Sequence, residues 1–268
     1  MASLFPHRRE VVYECRDEDG VIQVIDEAGK MRSMQFGTDA RQSTMLLRQL
    51  DALALIYTHC LMTCLLYASD PQPEATLVLG LGGGSVPKFL LRQFPKCLVD
   101  AVDKRAKIID VAREYFALPQ DARLRVHLQD GLVFLSETKP KQYDIIFVDL
   151  HDSAGMAPVV RRTEFFPACM RALKPQGIVA LNMWYGYRET EEREVRRLLN
   201  LNFQDRLLYL PVAGKRNCVV LAFGSETPIN TGLIGKRARQ LQKATGIDFP
   251  DLVAQIRVAN QDSRLLST

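Results

Sequence analysis

Apolar and polar positions alternate in short runs near the start of the chain: Val11-Val12-Tyr13, Val21-Ile22-Gln23-Val24-Ile25 and residues 31–36. The runs are parted by Asp17-Glu18-Asp19-Gly20 and Glu27-Ala28-Gly29-Lys30, so they predict a small antiparallel β-meander. Over residues 43–67 the apolar positions recur at helical spacing, and the pattern stops at Asp70-Pro71-Gln72-Pro73, where proline ends a helix. The boundary falls there. Residues 1–70 form a small N-terminal β domain plus linking helix, and residues 71–268 a second domain.

Beyond the boundary the period switches repeatedly between strand and helix. Residues 76–79, 98–102, 124–128 and 143–150 read as strands, and 86–94, 107–116 and 132–137 as the helices between them. This βαβαβαβ order builds a doubly wound, mostly parallel, Rossmann-like sheet with helices on both faces, and ligands of such sheets sit at the carboxyl ends of the strands. Helices over 165–173 and 189–199 flank a strand at 177–183. Strands at 207–210 and 218–223 follow, joined by a turn at Ala213-Gly214-Lys215, and the tail over 229–258 is helical with mixed charge.

Composition narrows the classes. The 268 residues are 47% hydrophobic and 25% charged, as in an ordinary globular protein. A formal charge of +4 with interspersed signs gives little support to nucleic-acid binding. The longest apolar candidate for a membrane span, 53–67, is broken by Thr58, His59 and Thr63, and the first ten residues carry no apolar signal region, so a cytoplasmic protein is expected. Cys60 and Cys64 lie four apart with His59 beside them, but their apolar surroundings make them small hydrophobes, and no metal is expected.

The chemistry begins at Leu77-Val78-Leu79-Gly80-Leu81-Gly82-Gly83-Gly84-Ser85, a glycine-rich turn between strand and helix that lets backbone approach a ligand. Ser85 stands at the sixth position, where a GxGxxG dinucleotide loop would have glycine, which weakens a nicotinamide reading. Asp103 ends the second strand, 23 residues after Gly80, where a carboxylate can accept both ribose hydroxyls. Asp130, followed by Gly131, ends the third and could face an adenine amino group or simply cap the next helix. Asp149 and Asp152 close the fourth strand, where paired carboxylates can bind a cation and accept a proton from an amine. His151 between them is open to either a solvent-facing or a participating role. Lys236, Arg237, Arg239 and Lys243 are read as a solvated helix face.

The glycine loop, Asp103, Gln129-Asp130-Gly131 and Asp149-Leu150-His151-Asp152 together resemble the polyamine aminopropyltransferases, the spermidine synthase family, over most of residues 11–223. The resemblance implies transfer of an aminopropyl group from decarboxylated S-adenosylmethionine to a small-molecule amine. It makes Asp149 the base, assisted by Tyr57, and Asp152 the holder of the far ammonium. Gln42, Gly80, Gly82, Gly83, Gly84, Asp103, Asp130 and Gly131 would hold the nucleoside. Members of that family are commonly dimers or tetramers, so a homodimer is expected, while the charge pattern and hydropathy speak against nucleic acid or membrane as partners. Three departures stand out. Gly83 occupies the place of an aspartate in the family's GGGDGG loop, Tyr57-Thr58-His59 replaces Tyr-Gln-Glu, and Lys215 and Arg216 lie where a diamine would be repelled. Methyl transfer from S-adenosylmethionine itself, or a non-catalytic nucleoside-binding role, are the alternatives.

Overall fold

The computed structural model describes residues 9–152, 155–184, 189–224 and 231–266. Strands β1 (Arg9–Asp17), β2 (Gly20–Glu27), β3 (Met31–Gln35) and β4 (Arg41–Leu46) pair in sequence order as one antiparallel sheet. The fourth strand is a correction to the pattern reading, which ran a helix from residue 43. Cross-strand pairing prevails there: Thr44 lies opposite Ser33, their buried hydroxyls 3.1 Å apart, and Ser43, Thr44 and Met45 are all buried. Helix begins only at α1 (Ile56–Leu61) and resumes as α2 (Cys64–Tyr67).

The second sheet contains β5 (Ala75–Leu79), β6 (Leu98–Asp103), β7 (Leu124–Leu128), β8 (Tyr143–Val148), β11 (Leu173–Trp184), β12 (Leu207–Pro211) and β13 (Asn217–Phe223). The two-residue strands β9 (His151–Asp152) and β10 (Gly155–Met156) pair with each other at its mouth. Between the strands run α3 (Ser85–Gln93), α4 (Ala106–Tyr115), α5 (Gly131–Glu137), α6 (Phe165–Ala172) and α7 (Glu189–Phe203), and α8 (Thr231–Thr245) and α9 (Phe249–Ala259) close the chain. The spatial order is β12-β13-β11-β8-β5-β6-β7, parallel from β11 to β7, with β13 and β12 antiparallel. Successive strands run outward from β5 through β6 to β7, then the chain returns to place β8 on the other side of β5. That reversal opens a crevice at the carboxyl ends of β5 and β8.

The apolar runs that predicted the strands explain the core. β5 and β8 bury Leu77, Val78, Leu79, Ile145, Ile146, Phe147 and Val148, as expected of parallel strands covered on both faces. α1 and α2 pack against this larger sheet, with Tyr67 edge-on to Phe223 at 5.8 Å and Cys60 and Cys64 buried in the apolar interior. Arg237 of α8 donates to the carbonyl of Leu66 near the end of α2 and to those of Ala68 and Ser69 just past it, so this cation of the C-terminal segment joins elements instead of facing water.

The meander is fixed to the second sheet by a buried fork. Arg105 donates to both carboxylate oxygens of Asp17 at 2.7 and 2.9 Å and stacks over Phe36 at 4.7 Å. Losing one partner of such a pair strands a buried charge, at a cost of about 3–5 kcal/mol. Tyr13 on β1 stacks on Tyr115 of α4 at 4.7 Å, and the buried ammonium of Lys88 on α3 donates to the sulfur of Met45 on β4 at 3.4 Å. These contacts hold β1–β4 over the crevice.

Candidate functional site

Two cavities open at the crevice and share Gln42, Asp149 and His151. The first, about 330 Å³, lies over β5, β6 and β7 and is lined by Gly80, Gly82, Asp103, Asp130, Gly131 and Asp152 among others. The second, about 480 Å³, lies under the meander and α1, with Tyr57, Asn182, Trp184, Lys215 and Asn217 in its wall.

In the first cavity the glycines do different jobs. Gly80 has φ +94°, and a Cβ there would stand 2.2 Å from the carbonyl oxygen of Asp149. The turn after β5 and the end of β8 therefore touch through backbone, and only glycine allows it. Gly82 lines the cavity with φ +50°. Gly83 and Gly84 are buried behind the loop: a Cβ on Gly83 would meet Phe116 and Ser43 at 2.7 Å, and one on Gly84 would meet Leu118 at 2.4 Å. These two glycines let the loop pack, and neither is part of either cavity wall. The place of the family's loop aspartate is thus closed by Phe116 and Ser43.

Asp103 is tied to its surroundings through backbone, Oδ2 accepting from the Leu81 amide and Oδ1 from the Arg105 amide, both at 3.0 Å. Burial pushes its carboxyl above the ordinary range, although those amides and Arg105 pull the other way. Asp130 caps α5, its Oδ1 accepting from the amides of Leu132 and Val133 at 2.8 and 3.2 Å, and it lines the same cavity. Capping and cavity lining coexist in one residue. Asp152, expected to hold a far ammonium, lines this first cavity and is absent from the wall of the second. Its Oδ1 accepts from the Gly155 amide at 3.0 Å across the β9–β10 pair, which keeps it in the wall of the first cavity.

At the junction the Asp149 carboxylate gathers donors from three segments. Tyr57 on α1 donates to Oδ2 at 2.9 Å, Asn182 on β11 donates to Oδ1 at 2.8 Å, and Nδ1 of His151 lies 3.2 Å from Oδ1. Asn217 on β13 in turn donates to the Asn182 carbonyl at 2.9 Å and fixes that amide. Burial alone would raise the Asp149 pKa, but the His151, Asn182 and Tyr57 contacts outweigh it and hold the carboxyl below the ordinary range. Burial, then the Asp149 charge and bond, push the Tyr57 phenol well above its usual value, so it is a donor at neutral pH. His151, left open by its sequence context, is buried: its side chain is 8% exposed, and its ring centroid lies 5.9 Å from that of Trp184.

Asn182 and Asn217 were not legible beforehand. Asn182 is the one amide in the apolar run 178–183, and a polar side chain there was the available signal. In the second cavity the acids are largely spoken for by cations. Arg41 pairs with Glu27, and Arg9 pairs with Asp39 at 2.9 Å while donating to Gln35 at 2.6 Å. Lys215, on the β12–β13 turn, makes no ion pair among the described residues. Among the described residues no three His, Cys, Asp or Glu side chains group as a metal site, and no helix is long and apolar enough to cross a membrane.

Comparison with known proteins follows the same outline. Residues 55–210, more than half of the chain, match the Spermine/spermidine synthase domain. A polyamine aminopropyltransferase of Chromobacterium violaceum is 32% identical over 241 residues, covering 89% of this chain and 90% of that protein. The spermidine synthase structure from Thermotoga maritima shares the fold, with a TM-score of 0.73 at 16% identity over 96% of this chain and 87% of that one. Human methyltransferase-like protein 13, solved in complex with SAH, superimposes with a TM-score of 0.65 at 25% identity, over 72% of this chain and 93% of that one.

Proposed function

The chain belongs to the spermine/spermidine synthase family, and from that membership we propose that it transfers an aminopropyl group from decarboxylated S-adenosylmethionine to an amine. The observation that carries the proposal is the Asp149 carboxylate at the meeting of two cavities, held by the Tyr57 hydroxyl. The cavity over β5–β7 takes the nucleoside. Its volume suits such a ligand, Asp103 is positioned for the ribose hydroxyls, and Asp130 and Gly131 flank the base. Gly80 brings the loop against Asp149, so the sulfonium sits beside the carboxylate and the attacking amine arrives from the other cavity.

The chemistry asks for a negative charge at that junction. An amine is protonated at neutral pH and cannot attack until it passes a proton to a group of the site; the ionised Asp149 attracts the ammonium and balances the positive charge that the transferred proton brings. No metal is required by this scheme.

The acceptor we propose has one amine at Asp149 and a neutral or anionic far end. Glu27 and Asp39, the acids that could have held a second ammonium, are paired with arginines, and Lys215 adds a positive charge to the same wall. A simple diamine such as putrescine is then a poor substrate. Methyl transfer from S-adenosylmethionine is the second reading, favoured by the likeness to human methyltransferase-like protein 13.

Calorimetric titration with methylthioadenosine, S-adenosylmethionine and decarboxylated S-adenosylmethionine separates the readings. The decarboxylated donor should bind most tightly of the two donors. Preference for S-adenosylmethionine would move the assignment to methyl transfer. Asp149→Asn should lose turnover by about 10²–10⁴-fold while its methylthioadenosine affinity stays within a few-fold; unchanged turnover would remove Asp149 from the chemistry.

A further inference from the structure

The geometry points to His151 as the group that receives the proton lost by the attacking amine, with Asp149 as its buried counter-charge. The inference deepens the aminopropyl-transfer reading and rests on it. Asp149 already accepts from Tyr57 and Asn182 and faces Nδ1 of His151, so three donors converge on one carboxylate. Such a carboxylate is well stabilised and correspondingly weak as a base. The histidine is different. With Nδ1 directed at Asp149, its other nitrogen, Nε2, is buried and has no hydrogen-bond partner among the described residues. Buried polar atoms are rarely left so, and one that is calls for a functional account. The ring lines both cavities, which is where an amine from one side would meet a sulfonium from the other. Asp152 and Lys215 line one cavity each, and Asp149 is the carboxylate recorded in contact with the imidazole.

The arrangement is a carboxylate–imidazole pair. Asp149 accepting from Nδ1–H leaves the Nε2 lone pair free, and imidazole is the side chain that exchanges protons most readily near neutrality. The acceptor enters as an ammonium and gives one proton to Nε2. Its freed lone pair then forms the N–C bond to the propyl carbon as the C–S bond breaks, and the C–S electrons return to sulfur as a neutral thioether. The positive charge that sulfur carried ends on the product's secondary ammonium. The imidazolium, held against Asp149, passes its proton to solvent, so one proton is released per turnover.

The competing assignment makes Asp149 the proton acceptor and His151 a prop. Kinetics of ring variants decide between them, and the ring's tautomer tests the geometry both start from. The chain has four histidines, so ¹⁵N-histidine labelling resolves each ring, and comparison with His151→Asn identifies the signals of His151. In the neutral wild-type ring the proton should sit on Nδ1; a neutral ring with its proton on Nε2 would overturn the assignment. His151→Asn keeps an N–H donor near the Nδ1 position and removes the Nε2 base. Methylthioadenosine release from decarboxylated S-adenosylmethionine, with putrescine, 1-aminobutane or 4-aminobutyrate as the amine, should fall at least a hundredfold in that variant. Methylthioadenosine affinity should stay within threefold, and added imidazole should restore part of the turnover in His151→Ala. His151→Asn turning over within threefold of wild type, or no imidazole effect in His151→Ala, would leave His151 a prop. A wild-type protein inert toward all three amines overturns the aminopropyl reading itself, whereas an active wild type with an equally active His151→Asn overturns the His151 assignment alone.

Discussion

The cavity over β5–β7 is assembled from the ends of neighbouring strands, each turn carrying its own ligand-facing group: Gly80 and Gly82 after β5, Asp103 at the end of β6, Asp130 after β7. The cavity under the meander draws instead on segments far apart in the chain, from Arg41 and Gln42 through Tyr57 and Asn182 to Lys215 and Asn217. The first is fixed by backbone, with Asp103 tied to two amides and Gly80 pressed on the Asp149 carbonyl. The second is fixed by side chains, two ion pairs and a chain of amides. The contrast teaches that one half of the site is locked by geometry and tolerates little change, while the other is defined by charge and can be retuned residue by residue. A fold can then keep its donor and change its acceptor.

Gly80→Ala should break the backbone half outright. Its Cβ has nowhere to go except into the Asp149 carbonyl, and φ +94° is strained for alanine, so we expect a stability loss on the order of 3 kcal/mol and no measurable methylthioadenosine binding. Denaturant unfolding and calorimetry read both. A variant with wild-type affinity would show that the loop is not locked.

Asp103 gives a smaller, pH-dependent effect. Asp103→Asn should weaken methylthioadenosine by roughly 10–100-fold, the scale of one or two charge-assisted hydrogen bonds. Because burial raises the Asp103 pKa, and on the proposed reading the ionised form accepts both ribose hydroxyls, wild-type affinity should rise with pH through that raised value and then level off. For folding the sign is opposite: a raised folded pKa contributes stability at low pH that is lost as pH rises through it. Affinity measured from pH 4 to 8 should be flat for Asp103→Asn; a parallel fall on acidification in both proteins would assign the dependence elsewhere.

Lys215→Glu tests the charge-defined half and carries the smallest effect, since the side chain is exposed. It should raise turnover of putrescine relative to 4-aminobutyrate by about three- to tenfold, with methylthioadenosine affinity unchanged. No change in the ratio would mean that the acceptor's far end does not approach this turn.

How much was legible follows the same division. The alternation of strand and helix patterns gave every strand from β5 to β13 within a few residues except the two-residue pair β9 and β10, because continuous apolar runs bounded by glycine, aspartate and proline have one reading in a parallel sheet. β4 was misread because its apolar spacing fits a helix as well as a strand, and only pairing with β3 decided it. Tyr57 could be placed beside Asp149 through the resemblance, whereas nothing in the spacing linked Asn182, Asn217 or His151 to that carboxylate.

The sequence by itself determined the sheet, its glycine turn and the acids at its strand ends, since each depends on a few adjacent residues and their local backbone preferences. The tertiary structure alone decided which way each acid faces and what neutralises it. It put Asp152 in the cavity over β5–β7, turned Gly83 toward Phe116, and set His151 between Asp149 and Trp184. The physical reason is range: helix, strand and turn are set by neighbours in the chain, but burial and charge are set by whatever packs across from them, and that partner is tens to hundreds of residues away.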